Sequence, residues 1–357
     1  MRSVGFQTFK KVSKERIKAF WWNLFHAWSR VNRLKYVVSG FILFVSIITP
    51  SCTKTSVWGF DELEYADKEF VDANSVVIHR YRDWNTESPI NISQFGPLGF
   101  SHQSAAVYGD YALFVANGRA RMCLYSLKRK EQLYTLVLKR EDEGVYHCNQ
   151  SSFGVEKFDS SDFFPLLYIS QRAQSDGRCF IEAFRIIPSY NEGKTDFESF
   201  TVELVQTIFL PKMSYENSLG NANCAVDAST KMMYFYSRNN NAKEDNFGQC
   251  KISAFAIPSI HEDLVFLEDE DIRSSFIIDV SAFNMQGGCI KDGILYIGQG
   301  YSSVGYILLN IIDLERQILV RRIDLQAYHV HWEPEGCFFY NGCVMLAHTS
   351  AICKIEK

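Results

Sequence analysis

Residues 74–357 are predicted to be all-β, folded as a β-propeller of five blades, and three observations carry this expectation. Strand-length runs rich in Val, Ile, Tyr and Phe follow one another with no long helical periodicity. Asn117-Gly118, Asp292-Gly293 and Asn341-Gly342 are hairpin turn signals between such runs. A polar residue followed by small ones also recurs at the start of a strand. The openings are Gln103-Ser104-Ala105, Gln150-Ser151-Ser152, Asn223-Cys224-Ala225, Gln286-Gly287-Gly288 and Glu335-Gly336-Cys337, at spacings of 47, 73, 63 and 49 residues.

Each opening heads a unit of further strands. Second strands are predicted over 111–116, 166–170, 233–237, 294–298 and 343–347. Third strands fall at 121–127, 179–186, 250–257, 304–313 and 351–355. Fourth strands at 132–138, 200–210, 277–281 and 317–325 complete only the first four units. Four strands per repeat of about 40–50 residues is the pattern of propeller blades. The fifth unit lacks its last strand, and residues 75–81 (SVVIHRY) are expected to supply it beside Ala351–Lys354. That N-terminal strand would close the ring and remove two open sheet edges. The second and third units are long enough to hold another hairpin, so six blades is the alternative. Small residues at every opening suit inner strands that crowd around an axis.

The segment before the domain reads as targeting. Residues 1–35 hold nine Lys and Arg against one acid, Glu15, a local charge of +8. Val37–Thr49 is an uncharged apolar run of 13 residues, shorter than the roughly 20 needed to span a bilayer. Basic residues followed by a short apolar core describe a signal peptide. The run ends in Thr49-Pro50-Ser51-Cys52, which resembles a bacterial lipobox, and Cys52 is the expected lipidation site. Residues 1–51 are thus assigned to a leader, and 52–73 to a polar, acidic tether. Residues 1–29 could form a basic amphipathic helix, but the preferred reading is an over-extended start with translation beginning near Val31 or Leu34. Thr53-Lys54-Thr55-Ser56 after the lipidated position carries no acidic export signal, so an outer-membrane lipoprotein facing the periplasm is expected.

Charge and motifs narrow the function classes. The chain carries −4 overall, which leaves −12 on residues 52–357 once the leader's +8 is taken out. An acidic body disfavours nucleic acid, whose phosphates need Lys and Arg. No GxSxG elbow and no Walker-type loop occurs. Nine cysteines follow Cys52, with no CxxC pair, mostly inside apolar runs. They are expected as small buried side chains rather than zinc ligands or a disulfide framework.

The candidate ligand residues are those the repeat sends to the channel mouth: Gln103, Gln150, Asn223, Gln286 and Glu335, joined by His102, His147, Asn149, Asn221, His331 and Glu333. Convergent polar groups at one end of a propeller axis can hold a ligand, or can simply satisfy backbone groups and channel waters. Glu335, Asn149 and Asn223 offer the oxygen donors Ca²⁺ takes, but Gln286 stands where an inner-strand Asp would complete the set. No metal site is assigned, and no other cofactor is expected. The three histidines recur at similar repeat positions, which explains them without a transition metal. Of the carboxylates, only Glu333 and Glu335 come from the repeat openings, and both lie in one blade, so binding without turnover is expected.

HCNQSSFG (147–154), MQGGCIKDGILYIGQG (285–300) and WEPEGCFFYNG (332–342) resemble inner-strand motifs of the teichoic-acid biosynthesis protein C family and of phage receptor-binding propellers. The Glu333-Pro334-Glu335-Gly336 turn is similar to that of gluconolactonase-type propellers. With its lipobox, the chain looks like the propeller lipoproteins of Bacteroides-type bacteria. The resemblance spans about residues 99–357 and implies a propeller in the cell envelope. Two functions follow as expectations: a membrane-anchored binding or scaffold domain for a glycan or protein partner, or a propeller hydrolase, lyase or lactonase with His147 or His331 as base.

Overall fold

The computed structural model describes residues 67–71, 77–82, 91–116, 121–137, 148, 150–171, 179–193, 197–211, 223–238, 249–281, 284–301 and 305–356. The leader, Cys52, Asn221, His147 and Asn149 lie outside them. The first strands are β1 (Asp67–Val71), β2 (Val77–Arg82) and β3 (Asn91–Pro97). Blade 1 follows with β4 (Ser104–Tyr108), β5 (Tyr111–Val115), β6 (Arg121–Ser126) and β7 (Glu131–Val137). Blade 2 holds β8 (Gln150–Phe153), β9 (Leu167–Gln171), β10 (Phe180–Tyr190) and β11 (Phe197–Phe209). Blade 3 holds β12 (Asn223–Asp227), β13 (Met232–Arg238), β14 (Gln249–Ala256) and, past an excursion through β15 (Leu264–Phe266), β16 (Ile272–Ser281). Blade 4 holds β17 (Met285–Lys291), β18 (Ile294–Tyr301), β19 (Tyr306–Asp313) and β20 (Ile318–Asp324). Blade 5 is β21 (Gly336–Tyr340), β22 (Cys343–His348), β23 (Ala351–Glu356) and β3. The domain is an all-β, five-bladed propeller closed by an N-terminal strand.

The extra length of units two and three does not build a sixth blade. It lengthens β10 and β11, which pair over their full extent from Phe180↔Phe209 to Tyr190↔Phe197. It also sends β15 across to the outer edge of blade 2, where it runs parallel to β11.

The strand that closes the ring is not the one expected. Residues 77–81 belong to β2, which pairs antiparallel with β1, Phe70 opposite His79. The closing strand is β3, with Asn91 opposite Glu356 and Pro97 opposite Ala351. Chain economy explains the choice. β3 ends seven residues before β4 begins, a connection of ordinary length, whereas a strand ending at Tyr81 would leave more than twenty residues to bridge. As the outermost strand of its blade, β3 needs little apolar content, which is why its sequence, NISQFGP, looks weak beside SVVIHRY.

Strand alternation feeds the core. On β5, Ala112 and Phe114 join the seam between blades 1 and 5, while Leu113 and Val115 join the seam between blades 1 and 2. Tyr168 and Ile181 meet Met233 and Phe235 between blades 2 and 3. Tyr236 and Ile252 meet Leu295 and Ile297 between blades 3 and 4. Ile307 and Leu309 meet Leu346 and Ile355 between blades 4 and 5. One apolar cluster fills each seam, so a period-2 pattern with both faces apolar is what a blade requires. Most cysteines take seam positions as small apolar residues, Cys123, Cys148, Cys224, Cys250 and Cys337 among them.

The closure can be trapped covalently. Gln94 lies opposite Cys353, and directly paired strand positions have Cα separations of about 4.5–5.5 Å, within disulfide reach. Gln94→Cys is expected to form a bond with Cys353 under oxidation and to stabilise the domain by about 3 kcal/mol. Peptide mapping and urea unfolding check this; a Gln94→Cys thiol that stays free contradicts the pairing.

Candidate functional site at the channel mouth

The inner strands β4, β8, β12, β17 and β21 surround the axis, and their starts bring the five opening residues to one end of it. Crowding there is severe. A Cβ on Gly287 would stand 1.8 Å from the Glu335 carbonyl oxygen, and one on Gly288 would meet the Tyr296 carbonyl at 2.6 Å and the Tyr236 hydroxyl at 3.0 Å. Only glycine admits that approach. β17 is bulged at this point, the register shifting between Met285 and Gly288.

The five residues form two hydrogen-bonded groups rather than one even ring. The first group plugs the axis. Gln150 is fully buried and reaches from blade 2 to blade 4. Its Oε1 accepts from the Gly288 N–H at 2.6 Å, and its Nε2 donates to the Gly288 carbonyl and to the Ser151 carbonyl, the latter at 3.0 Å. The Tyr236 hydroxyl lies 3.2 Å from the Gln286 carbonyl and 3.4 Å from Gln150 Oε1. Asn223 Nδ2 donates to the same Gln286 carbonyl at 3.5 Å. Blades 2, 3 and 4 are thereby tied, and the buried amide of Gln150 spends both its donor and its acceptor on protein, as a buried amide must.

The second group faces the mouth, with Gln103, Glu333 and Glu335 half-buried and Gln286 buried. Gln103 Nε2 donates to Glu335 Oε1, linking blades 1 and 5. Gln286 Nε2 donates to Glu333 Oε1 at 2.6 Å, linking blade 4 to the connection before β21. Glu333 and Glu335 are hydrogen-bonded to each other. Pro334 between them is clamped against β18, since a Cβ on Gly298 would stand 2.4 Å from its carbonyl oxygen. Burial, reinforced by the Glu333 charge, pushes the Glu335 carboxyl up to about 8. Burial raises Glu333 as well, against the hydrogen bonds from Gln286 and Glu335. At neutral pH the pair therefore holds a proton on Glu335. It offers one donor and several acceptors side by side, between two amides.

The histidines divide differently. His102 does not reach the rim. It is buried between blades 1 and 5 with its ring against Phe114 at 5.0 Å and its Nδ1 3.1 Å from the Phe100 carbonyl. Burial pushes it down to about 4, so it is neutral, and Gly336 leaves the space that its ring fills. His331 is exposed beside His329, ring centroids 6.4 Å apart. Among the described residues no three His, Cys, Asp or Glu side chains are placed to share a metal ion.

Two features escaped sequence reasoning. Tyr236, which supports the plug, reads there only as an apolar strand residue. Buried polar pairs also lie behind the inner strands of blades 2 and 4: Gln171 Nε2 donates to Glu182 Oε2 at 2.6 Å, and Asn310 Nδ2 donates to Gln299 Oε1 at 2.9 Å, with Arg322 Nε donating to Asn310 at 2.6 Å. The repeated LYISQ (167–171) and LYIGQ (295–299) carried that signal.

No known family profile and no curated protein matches the chain. Solved structures resemble the chain only distantly. Myxococcus xanthus glutaminyl cyclase is 10% identical with a TM-score of 0.42, covering 75% of this chain and 96% of that one. A protein of unknown function from Bacteroides caccae is 9% identical with a TM-score of 0.36, covering 80% of each. A putative oxidoreductase (glucose dehydrogenase) from Thermus thermophilus is 10% identical with a TM-score of 0.38, covering 74% and 99%.

The raised Glu335 carboxyl makes stability depend on pH. Its folded pKa of about 8 lies above the ordinary 4.5, so the folded state holds the proton more tightly than the unfolded chain does. Its contribution is complete below pH 4.5 and is lost as pH rises through 8. Glu335→Gln should flatten that fall and leave the variant more stable than wild type at pH 9. Thermal midpoints measured across the range check this; parallel curves for the two proteins contradict it.

Proposed function

We propose that this chain is an exported lipoprotein, anchored in the cell envelope through Cys52 and facing the periplasm, whose propeller binds a hydroxyl-rich ligand of glycan type at the channel mouth. The observation that carries the reading is the arc Gln103–Glu335–Glu333–Gln286, which gathers two amides and a carboxyl pair with a proton on Glu335 from three blades at the channel mouth. Such a set donates and accepts at neighbouring positions, as sugar hydroxyls require. The basic n-region, the 13-residue apolar core and the lipobox-like Thr49–Cys52 support the location. A protein partner presenting hydroxyl and amide groups would use the same arc.

Geometry favours binding over glycoside hydrolysis. The two carboxyls of a glycosidase stand about 5–9.5 Å apart with the scissile bond between them, whereas Glu333 and Glu335 are in hydrogen-bond contact. The competing reading, lyase or lactonase chemistry, draws on the same pair, because Glu335 carries a proton at neutral pH that it can deliver.

The test has two arms. Cys52→Ala should release the protein from the membrane fraction or leave an unprocessed precursor. Thermal-shift titration with a glycan panel and with Ca²⁺ should find a glycan whose affinity drops at least tenfold in Glu333→Gln, without loss of the fold. A glycan that stabilises both proteins equally would place binding elsewhere, and consumption of a lactone or uronide by wild type but not by Glu333→Gln would favour the enzymatic reading.

A further inference from the structure

Two thiols touch at the seam between the last two blades. Cys289 on β17 and Cys337 on β21 have their sulfurs 3.9 Å apart. Both strands are innermost, so this contact joins neighbouring blades at the axis rather than neighbours within one sheet. The backbones are close there as well: a Cβ on Gly287 would lie 3.6 Å from the Cys337 nitrogen. Other cysteines use their thiols differently. Cys123 donates to the Leu124 carbonyl and Cys148 to Gln171 Oε1.

We propose that Cys289 and Cys337 are a disulfide-forming pair, a covalent staple across the seam of blades 4 and 5. A sulfur–sulfur bond is about 2.05 Å long, so the two sulfurs must close by about 2 Å, a movement that side-chain rotation supplies when the backbones are already adjacent. The oxidant is a disulfide, such as oxidised glutathione or a dithiol–disulfide exchange protein. Cys289, the less buried of the two, attacks one sulfur of that disulfide as the thiolate and expels the first thiol. The Cys337 thiolate then attacks the Cys289 sulfur and expels the second. The two cysteines lose two electrons and two protons, and the two departing thiols gain them. The bond joins β17, which carries Gln286, to β21, which Glu335 immediately precedes, so it fixes the spacing of the mouth from behind. Nothing in this pairing depends on what the mouth binds.

The experiment uses the folded, full-length protein. It is equilibrated with oxidised glutathione or with dithiothreitol, alkylated, digested without reduction and mapped by mass spectrometry. Oxidation should yield one linked peptide pair joining Cys289 to Cys337, and should raise the thermal midpoint by about 5 °C. Cys289→Ala and Cys337→Ala should each abolish the link and the redox-dependent shift, while Cys224→Ala keeps both. Wild-type Cys289 and Cys337 that remain alkylatable after oxidation, or a link from either to another cysteine, would overturn the proposal; this readout needs no variant to fold.

Discussion

Where the inner strands of blades 4 and 5 meet, the backbone of Gly287 approaches the Glu335 carbonyl closer than any Cβ allows, and much of the mouth depends on that approach. It holds β17 against β21, so that Gln286 reaches Glu333. The bulge on β17 turns the Gly288 N–H and carbonyl toward the axis, where Gln150 takes both. A side chain at 287 or 288 would push blade 4 outward and leave the Gln150 amide buried without partners, at a cost of about 1–3 kcal/mol for each unsatisfied group. Packing and polarity are therefore one problem here: the small residues make the axis narrow, and the narrow axis forces the amides to satisfy one another.

The same constraint divides the polar residues by role. Gln150, Asn223 and Tyr236 lie where no solvent reaches them, and they act as ties between blades. Gln103, Glu333 and Glu335 are only half-buried and keep capacity for an outside partner. Desolvation of the carboxyl pair is deep enough to raise Glu335 and shallow enough to leave the pair accessible.

Much of this architecture is written in local residues. The openings at 103, 150, 223, 286 and 335 fall at or within a residue of the starts of β4, β8, β12, β17 and β21, because small residues at a crowded axis have no substitute. Second, third and fourth strands were legible through apolar alternation for the same reason. The closing strand was not. Its requirements are met by position in the chain and by a single set of backbone hydrogen bonds, so β3 can be polar and end in Gly96-Pro97 while a more apolar run lies elsewhere. The plug was legible only in part. Gln150 looks like its counterparts in the repeat, and what distinguishes it is a bulge on a distant strand whose Gly288 lies 138 residues away, marked in sequence only by the doubled glycine at 287–288. His102 was misjudged because its neighbour Gly336, not its own sequence context, makes the hole it occupies.

The direction of β3 has a mechanical consequence. Pro97 pairs with Ala351 toward the mouth, and Asn91 pairs with Glu356 at the far end. A pull exerted through the chain preceding Asn91, resisted by something held at the mouth, acts along the strand and across its hydrogen bonds to β23. Those bonds then carry the load together, in shear, instead of opening one after another from an end. A ring closed in this way meets tension along its closing strand with its sturdiest geometry.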